Sequence, residues 1–281
     1  TTMNSLAQLD SQAKHAGYST AASDSGMKEV ILLNTGSGSA FNGKTWKNNP
    51  SQLKAAKDAF FKFIPRAGFW NDSAGDSSLV KSDSLVFANS ATGYKASTRK
   101  NGTNAYQFQD AEASAEEWQT AKFDRTIKVR VVFDANSSRG QLEFTQLSRL
   151  GKLGGFDIEN ASSENPDQVV ASGAWDALLV DVPELSLGGQ ALAYVNGVVT
   201  GFDQPDAAAI IAKVAKSAGQ LSPADQGNLD RILIQNYFGL PIFQVQRLLV
   251  WSSKFALSPT AVAGESLVSG YPNWVVSSKG K

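Results

Sequence analysis

The segment NYFGLPIFQVQRLLVWSS, residues 236–253, constrains the fold of this 281-residue chain more than any other stretch. Read as a strand over residues 242–251, it puts Phe243, Val245, Leu249 and Trp251 on one side and Ile242, Leu248 and Val250 on the other. A strand apolar on both sides must be covered on both, so it belongs inside a sheet with a layer packed on each face. Its polar residues, Arg247 on the first side and Gln244 and Gln246 on the second, need hydrogen-bond partners wherever that cover is dry. Gly239 is expected to end the preceding helix and Pro241 to prevent its resumption, so that the strand starts at Ile242.

Other segments supply the companions such a strand needs. KEVILLN (28–34) is a short apolar run of the buried-strand kind, and TIKVRVVFD (126–134) alternates Ile127, Val129 and Val131 against Lys128 and Arg130 as a half-buried strand does. SLVFA (84–88), QLEFTQL (141–147) and WDALLVDV (175–182) are further strand candidates, and Asn42-Gly43 and Asn196-Gly197 read as two-residue hairpin turns. Asn101-Gly102 marks another turn.

Helices are expected from Pro50, capped by Asn48 or Asn49 and ended by Pro65, and over 110–123, 205–218 and 223–238. The last has Ser222 as its cap and Asp225 three residues on, with Leu229, Ile232, Leu233 and Tyr237 as its apolar stripe. The fold class that follows is α+β, a mixed and mainly antiparallel sheet with several helices and long polar extensions. Residues 1–26 lack a clear period and read as a flexible arm. Residues 27–281 read as one α+β domain with an extended excursion at about 66–104, rich in Ser, Asp, Asn and Gly.

Composition narrows the chemistry. No cysteine is present, which excludes disulfides, thiolate nucleophiles and sulfur-ligated zinc. The single histidine, His15, lies in the polar stretch SQAKHAGYS, where it is expected to be solvated, so neither histidine catalysis nor a multi-histidine metal site is indicated. Lys and Arg number 26, as do Asp and Glu, so no net field draws the chain to nucleic acid or to an anionic membrane. No apolar run reaches the length of a membrane span, and no signal peptide is apparent. No spacing marks two carboxylates as an acid and base pair, and G-x-S-x-G does not occur. The paired helices at 205–218 and 223–238 carry Asp225 and Asp230 where a DNA reader would carry bases. The chain is therefore expected not to be an enzyme, and to need no cofactor and no metal.

One motif argues for an alternative. Gly38-Ser39-Ala40-Phe41-Asn42-Gly43-Lys44-Thr45 satisfies G-x-x-x-x-G-K-[ST] and follows an apolar run, as a phosphate loop should. SGAWDALLVDV and QDAE resemble segments of recombinase-type ATPases, a resemblance that implies nucleotide contacts from Gly38, Gly43, Lys44 and Thr45 and places Asp181 beside magnesium-bound water. Against this, a phosphate loop needs a helix that begins at its Gly-Lys, and Pro50 stands where such a helix requires a backbone donor. The Asn-Gly hairpin is the default reading.

The last fifth of the chain carries a second resemblance. LDRILIQNYFGLPIFQVQRLLVWSSKFALSPTAVAGESLVSGYPNWVV (229–276) is similar in pattern to major capsid proteins of tailed phages, which run helix, glycine turn, apolar strand, small-residue segment and tryptophan-bearing strand. The resemblance implies a virion-located structural subunit that self-assembles with copies of itself and with other virion proteins. A tail-tube or jelly-roll capsid subunit is the neighbouring reading. Under it the excursion docks on adjacent subunits through Phe69, Trp70, Leu85 and Phe87, with Arg247 and Trp251 as further contacts.

Overall fold

The structure is a computed structural model that describes residues 6–73, 76, 78–108, 110–120, 126–183, 199–214, 221–256 and 275–276. Its first elements already depart from the sequence reading, because residues 6–26 are not a bare arm. Helix α1 (Leu6–His15) leads into strand β1 (Tyr18–Leu33), whose Ser- and Ala-rich first half pairs antiparallel with the end of a later strand, Tyr18 opposite Ser252 and Asp24 opposite Gln246. Gly26, at φ 80°, supplies the left-handed backbone at the register shift between Asp24 and Met27, and Ser25 Oγ donates to Val245 O there at 2.8 Å. The pairing partner, not local hydrophobicity, makes this half a strand.

After β1 the chain forms a loop and then helix α2 (Pro50–Phe63), with Pro50 at its start and the Asn49 side chain accepting from Gln52 N. The expected Asn42-Gly43 hairpin is absent. Asn42 instead caps a 3-10 turn, Gly43–Trp46, its side chain accepting from Lys44 N at 3.0 Å. A short polar side chain that can bond its own backbone two residues on competes with the hairpin conformation, and here it wins.

Next come α3 (Arg66–Asp72), β2 (Leu79–Lys81) and α4 (Tyr94–Thr98), all within the stretch expected to be a loose excursion. This stretch is folded onto the rest. Arg66 is fully buried, donating from Nε to Pro241 O at 2.8 Å and from Nη2 to Ser82 O at 2.7 Å and Asp83 Oδ1 at 2.8 Å. Asp230, also fully buried, accepts from Leu85 N at 2.8 Å, Ser97 Oγ at 2.6 Å and Asn101 Nδ2 at 2.8 Å. The polar composition that suggested an extended excursion in fact pairs buried groups with one another. SLVFA is irregular chain, not a strand.

The remainder runs α5 (Ala111–Thr120), β3 (Ile127–Val132), α6 (Ser138–Gly151), β4 (Phe156–Asn160), α7 (Pro166–Ser172), β5 (Ala177–Pro183), α8 (Pro205–Val214), α9 (Pro223–Gln235), β6 (Gly239–Ser252) and a small pair, β7 (Phe255–Ala256) with β8 (Val275–Val276). QLEFTQL lies inside α6 and is helix, not strand: Ser137 caps it by accepting from Gly140 N, and Leu147 is buried while Leu142 faces water. Strand β6 begins at Gly239, so Pro241 sits inside it, beside a second register shift between Glu29 and Val30 where a missing N–H is tolerated. The Asn196-Gly197 turn lies outside the described residues.

The main sheet has the order β2-β6-β1-β5-β3-β4. Pairs β2/β6, β6/β1 and β1/β5 are antiparallel, while β5/β3 and β3/β4 are parallel. The α+β class with a mixed, mainly antiparallel sheet is therefore as expected. Val30, Ile31, Leu32 and Leu33 are buried on both faces of β1, and Leu240 and Ile242 are equally buried in β6. An aromatic cluster joins helix to sheet: Phe60 packs at 5.2 Å from Phe156 and 5.1 Å from Phe41, and Trp118 at 5.1 Å from Phe156.

Candidate functional site

Strand β3 carries its apolar residues inward and turns Lys128 and Arg130 to the opposite face, where β4 aligns Glu159 with Arg130. That face would be an ordinary polar surface but for the loop after β1. Thr35 N donates to Thr200 O at 2.7 Å and Asn34 N to Asp176 O at 2.9 Å, which turns the chain at the end of β1 toward the β3 and β5 strands. Between the loop and β3 lies an open cleft of about 430 Å³, lined by Gly38, Ser39, Ala40 and Thr45 from the loop, and from the sheet by residues 126–128, Arg130, Glu159 and Asp176.

Asp176 is the hub of this arrangement. It is 1% exposed, and its carboxylate accepts from Ala40 N at 2.7 Å, Arg130 N at 2.8 Å, Arg130 Nε at 2.8 Å and Arg130 Nη2 at 3.0 Å. Arg130 Nη2 also donates to Gly38 O at 3.1 Å. One buried anion thus ties the loop backbone, the β3 backbone and a planar guanidinium together in a two-pronged pairing. Hydrogen bonds to Asp176 raise the Arg130 pKa above its ordinary value. At the mouth, Lys128 Nζ meets Glu159 Oε1 at 2.6 Å, with the lysine side chain 70% exposed. A pair so open to water is worth little to the fold and separates readily.

Trp46 anchors the far end of the loop. Its Nε1 donates to Ala40 O at 2.7 Å and its ring stacks on Trp118, centroids 6.2 Å apart. Thr45 Oγ1 donates to Ser39 O at 2.7 Å, closing the loop on itself.

The phosphate-loop constellation does not come together. Gly38 and Thr45 line the cleft, but Lys44 is exposed and Gly43 opens a 3-10 turn in place of the helix whose amides would hold phosphate. Asp181 lies five residues along β5 from Asp176, roughly 16 Å at strand rise, and is held by Arg139 at 3.0 Å. The residues expected at subunit contacts are also dispersed. Phe69, Leu85 and Phe87 are buried in the core, Trp70 donates its Nε1 to Ile242 O at 2.9 Å, and Arg247 and Trp251 are half-buried on β6 opposite Ser23 and Ser19.

Among the described residues no helix is long and apolar enough to cross a membrane, and no group of three or more His, Cys, Asp or Glu is placed to hold a metal ion. The sequence reading missed the functional candidates Lys128, Arg130, Glu159 and Asp176. Lys128 and Arg130 stood in plain alternation on β3, yet nothing local marks Asp176 as their partner.

No family model and no curated protein sequence matches this chain. Solved structures do. The periplasmic EDTA-binding protein EppA superposes with a TM-score of 0.63 at 16% identity, covering 90% of this chain and 49% of its own. NikA from Brucella suis in complex with Fe(III)-EDTA gives 0.61 at 15%, covering 90% and 52%. The substrate-binding domain of an oligopeptide ABC transporter from Bacillus anthracis gives 0.61 at 13%, covering 89% and 49%. The chain thus shares the fold of substrate-binding proteins and spans about half the length of the structures it resembles. This overturns the tailed-phage resemblance, and with it the capsid, tail-tube and jelly-roll subunit readings, the self-assembling partners and the virion location. The phosphate-loop ATPase reading falls as well. The glycine turn and apolar strand that suggested a capsid are β6 and its approach, a central strand of this other sheet.

Proposed function

We propose that this chain is the ligand-contacting part of a solute-binding protein, and that its ligand is a small polar solute bearing both carboxylate and amine groups, seated over the first half of β3. The observation that carries the reading is the mixed-charge cleft, Lys128 and Arg130 beside Glu159 and Asp176, on a fold shared with proteins described as binding EDTA or peptides. EDTA carries several carboxylates beside its amine nitrogens, and a peptide carries a terminal amine and a terminal carboxylate. Lys128 can leave Glu159 for such a group, and Glu159 then faces an amine at the cost of one weak surface pair. Arg130 cannot move in this way, because its position is set by Asp176. The ammonium of Lys128 is thus the adjustable contact and the guanidinium the fixed one.

Ligand sites of this kind lie preferentially between bodies that close by a hinge, which suits so open a cleft. In this reading the protein binds without catalysis, works outside the cytoplasm and delivers its solute to an ABC transporter. Thermal denaturation of the chain with millimolar EDTA, Fe(III)-EDTA, a Ni(II)-histidine complex and short peptides tests it. A ligand present at a hundred times its Kd adds about 2.7 kcal/mol to the stability of the native state. Lys128→Glu should abolish that gain while leaving the ligand-free melting temperature close to wild type. The reading fails if no compound moves the transition, or if Lys128→Glu binds as wild type does.

A further inference from the structure

Away from the cleft, α6 meets strands β1 and β5 around four charged side chains. Arg139 Nε donates to Glu29 Oε1 at 2.8 Å, and its Nη2 donates to both oxygens of Asp181 at 3.0 Å. Glu29 and Asp181 are register partners across β1 and β5. Glu143 lies one turn along α6 from Arg139, near enough for its carboxyl group and that of Glu29 to act on one another. Glu29 and Glu143 are each only 3% exposed. Opposite Glu29 on β6 is Phe243, which brings no charge, and the neighbouring Lys28 is engaged with Ser82 and Gln244. Among the described residues, the charged groups facing the pair are therefore Arg139 from α6 and Asp181 from β5.

The hydrogen-bonding pattern around this cluster leaves a donor missing. Among the described residues, no N–H or O–H donates to Glu29 Oε2 or to either oxygen of Glu143. Two neighbouring carboxylates, each almost fully buried and served by one guanidinium that is shared with a third, cannot both carry charge. A proton between them converts an acceptor-against-acceptor contact into an O–H···O⁻ bond, which is short and strong in such surroundings. We propose that Glu29 and Glu143 share one proton at neutral pH, and that this proton fastens α6 to β1, so that its loss loosens the helix from the sheet.

Burial is the largest influence on both carboxyl groups and pushes both upward, Glu29 to about 7 and Glu143 well above the usual carboxylate range. The folded chain then holds the proton more tightly than the unfolded chain does. The resulting stabilisation is complete below the unfolded value of 4.5, declines as pH rises through about 7, where Glu29 titrates, and is fully lost only when Glu143, raised well above its ordinary value, has given up the last proton. At tenfold per pKa unit, this lowers the ratio of folded to unfolded protein on the order of a hundredfold across that window.

Urea unfolding of the full chain between pH 4.5 and 8.5, wild type beside Glu143→Gln, tests the proposal. Glutamine is neutral at every pH and offers Glu29 a donor, so the variant should lose most of the decline with pH and exceed wild type at pH 8.5. Infrared spectroscopy of wild type at pH 7 should show the C=O stretch of a protonated carboxyl group. An unchanged pH profile in Glu143→Gln overturns the proposal. So does the absence of that band at pH 7, which decides the matter even if the variant fails to fold.

Discussion

Replacing Asp176 with alanine removes, in one step, the anion on which the loop between β1 and α2 is hung. Two backbone donors, Ala40 N and Arg130 N, lose a charged acceptor, and a hydrogen bond of that kind contributes about 1.5–3 kcal/mol. The Arg130 side chain is 31% exposed, so water replaces part of its lost pairing and that contribution falls to about 1 kcal/mol. All these bonds end on one carboxylate and are not additive, which brings the expected cost of Asp176→Ala to about 3–4 kcal/mol. Asp176→Asn keeps one carbonyl acceptor and should cost about half as much. Urea unfolding followed by tryptophan fluorescence is a suitable assay, because Trp46 donates to Ala40 O, immediately beside the lost contact. The reasoning is refuted if Asp176→Ala costs less than about 1 kcal/mol, or if alanine and asparagine cost the same.

Two further outcomes are expected. Leu249→Ala, at a buried position of β6, should open a cavity and cost about 2–5 kcal/mol by chemical denaturation. Lys57 on α2 is lowered to about 8 by burial alone, so a folded chain carrying the charged form is penalised below that pH and the penalty fades as pH rises toward 10.5. Lys57→Met should therefore stabilise the protein at pH 7 by about 1–3 kcal/mol, with the gain shrinking in melts at pH 10.

What the sequence made legible depended on whether a signal was local. The apolar run of 28–34, the alternation of β3, the capped starts of α2 and α9 and the apolar body of β6 each follow from neighbours within a turn or a few residues, and each is present. Failures occurred where a distant partner decided the conformation. The first half of β1 has no strand pattern of its own and is ordered by β6, some 220 residues away, through contacts such as Ser25 Oγ to Val245 O. The stretch at about 66–104 read as an extended excursion because it is rich in Ser, Asp, Asn and Gly. Buried Asp230, 129 to 145 residues further along the chain, and buried Arg66, at the start of the stretch, collect those groups.

The same distinction accounts for the polar middle of β6 and for the site that local sequence did not mark. Gln244 accepts from buried Lys28 at 2.9 Å and donates to Met27 O at 3.0 Å, while Gln246 donates to Asp24, so both amides serve β1 and neither marks a subunit contact. A polar residue within an apolar strand is a sign of a partner, and sequence alone does not say which. At the cleft the ambiguity ran the other way. Gly38 to Thr45 matched a nucleotide motif by residue type, yet the chemistry of that loop is decided by Asp176, whose buried carboxylate occupies the amide of Ala40 from outside the motif. An amide already committed to a protein carboxylate is not available to a phosphate, and the same carboxylate fixes Arg130 at the floor of the cleft.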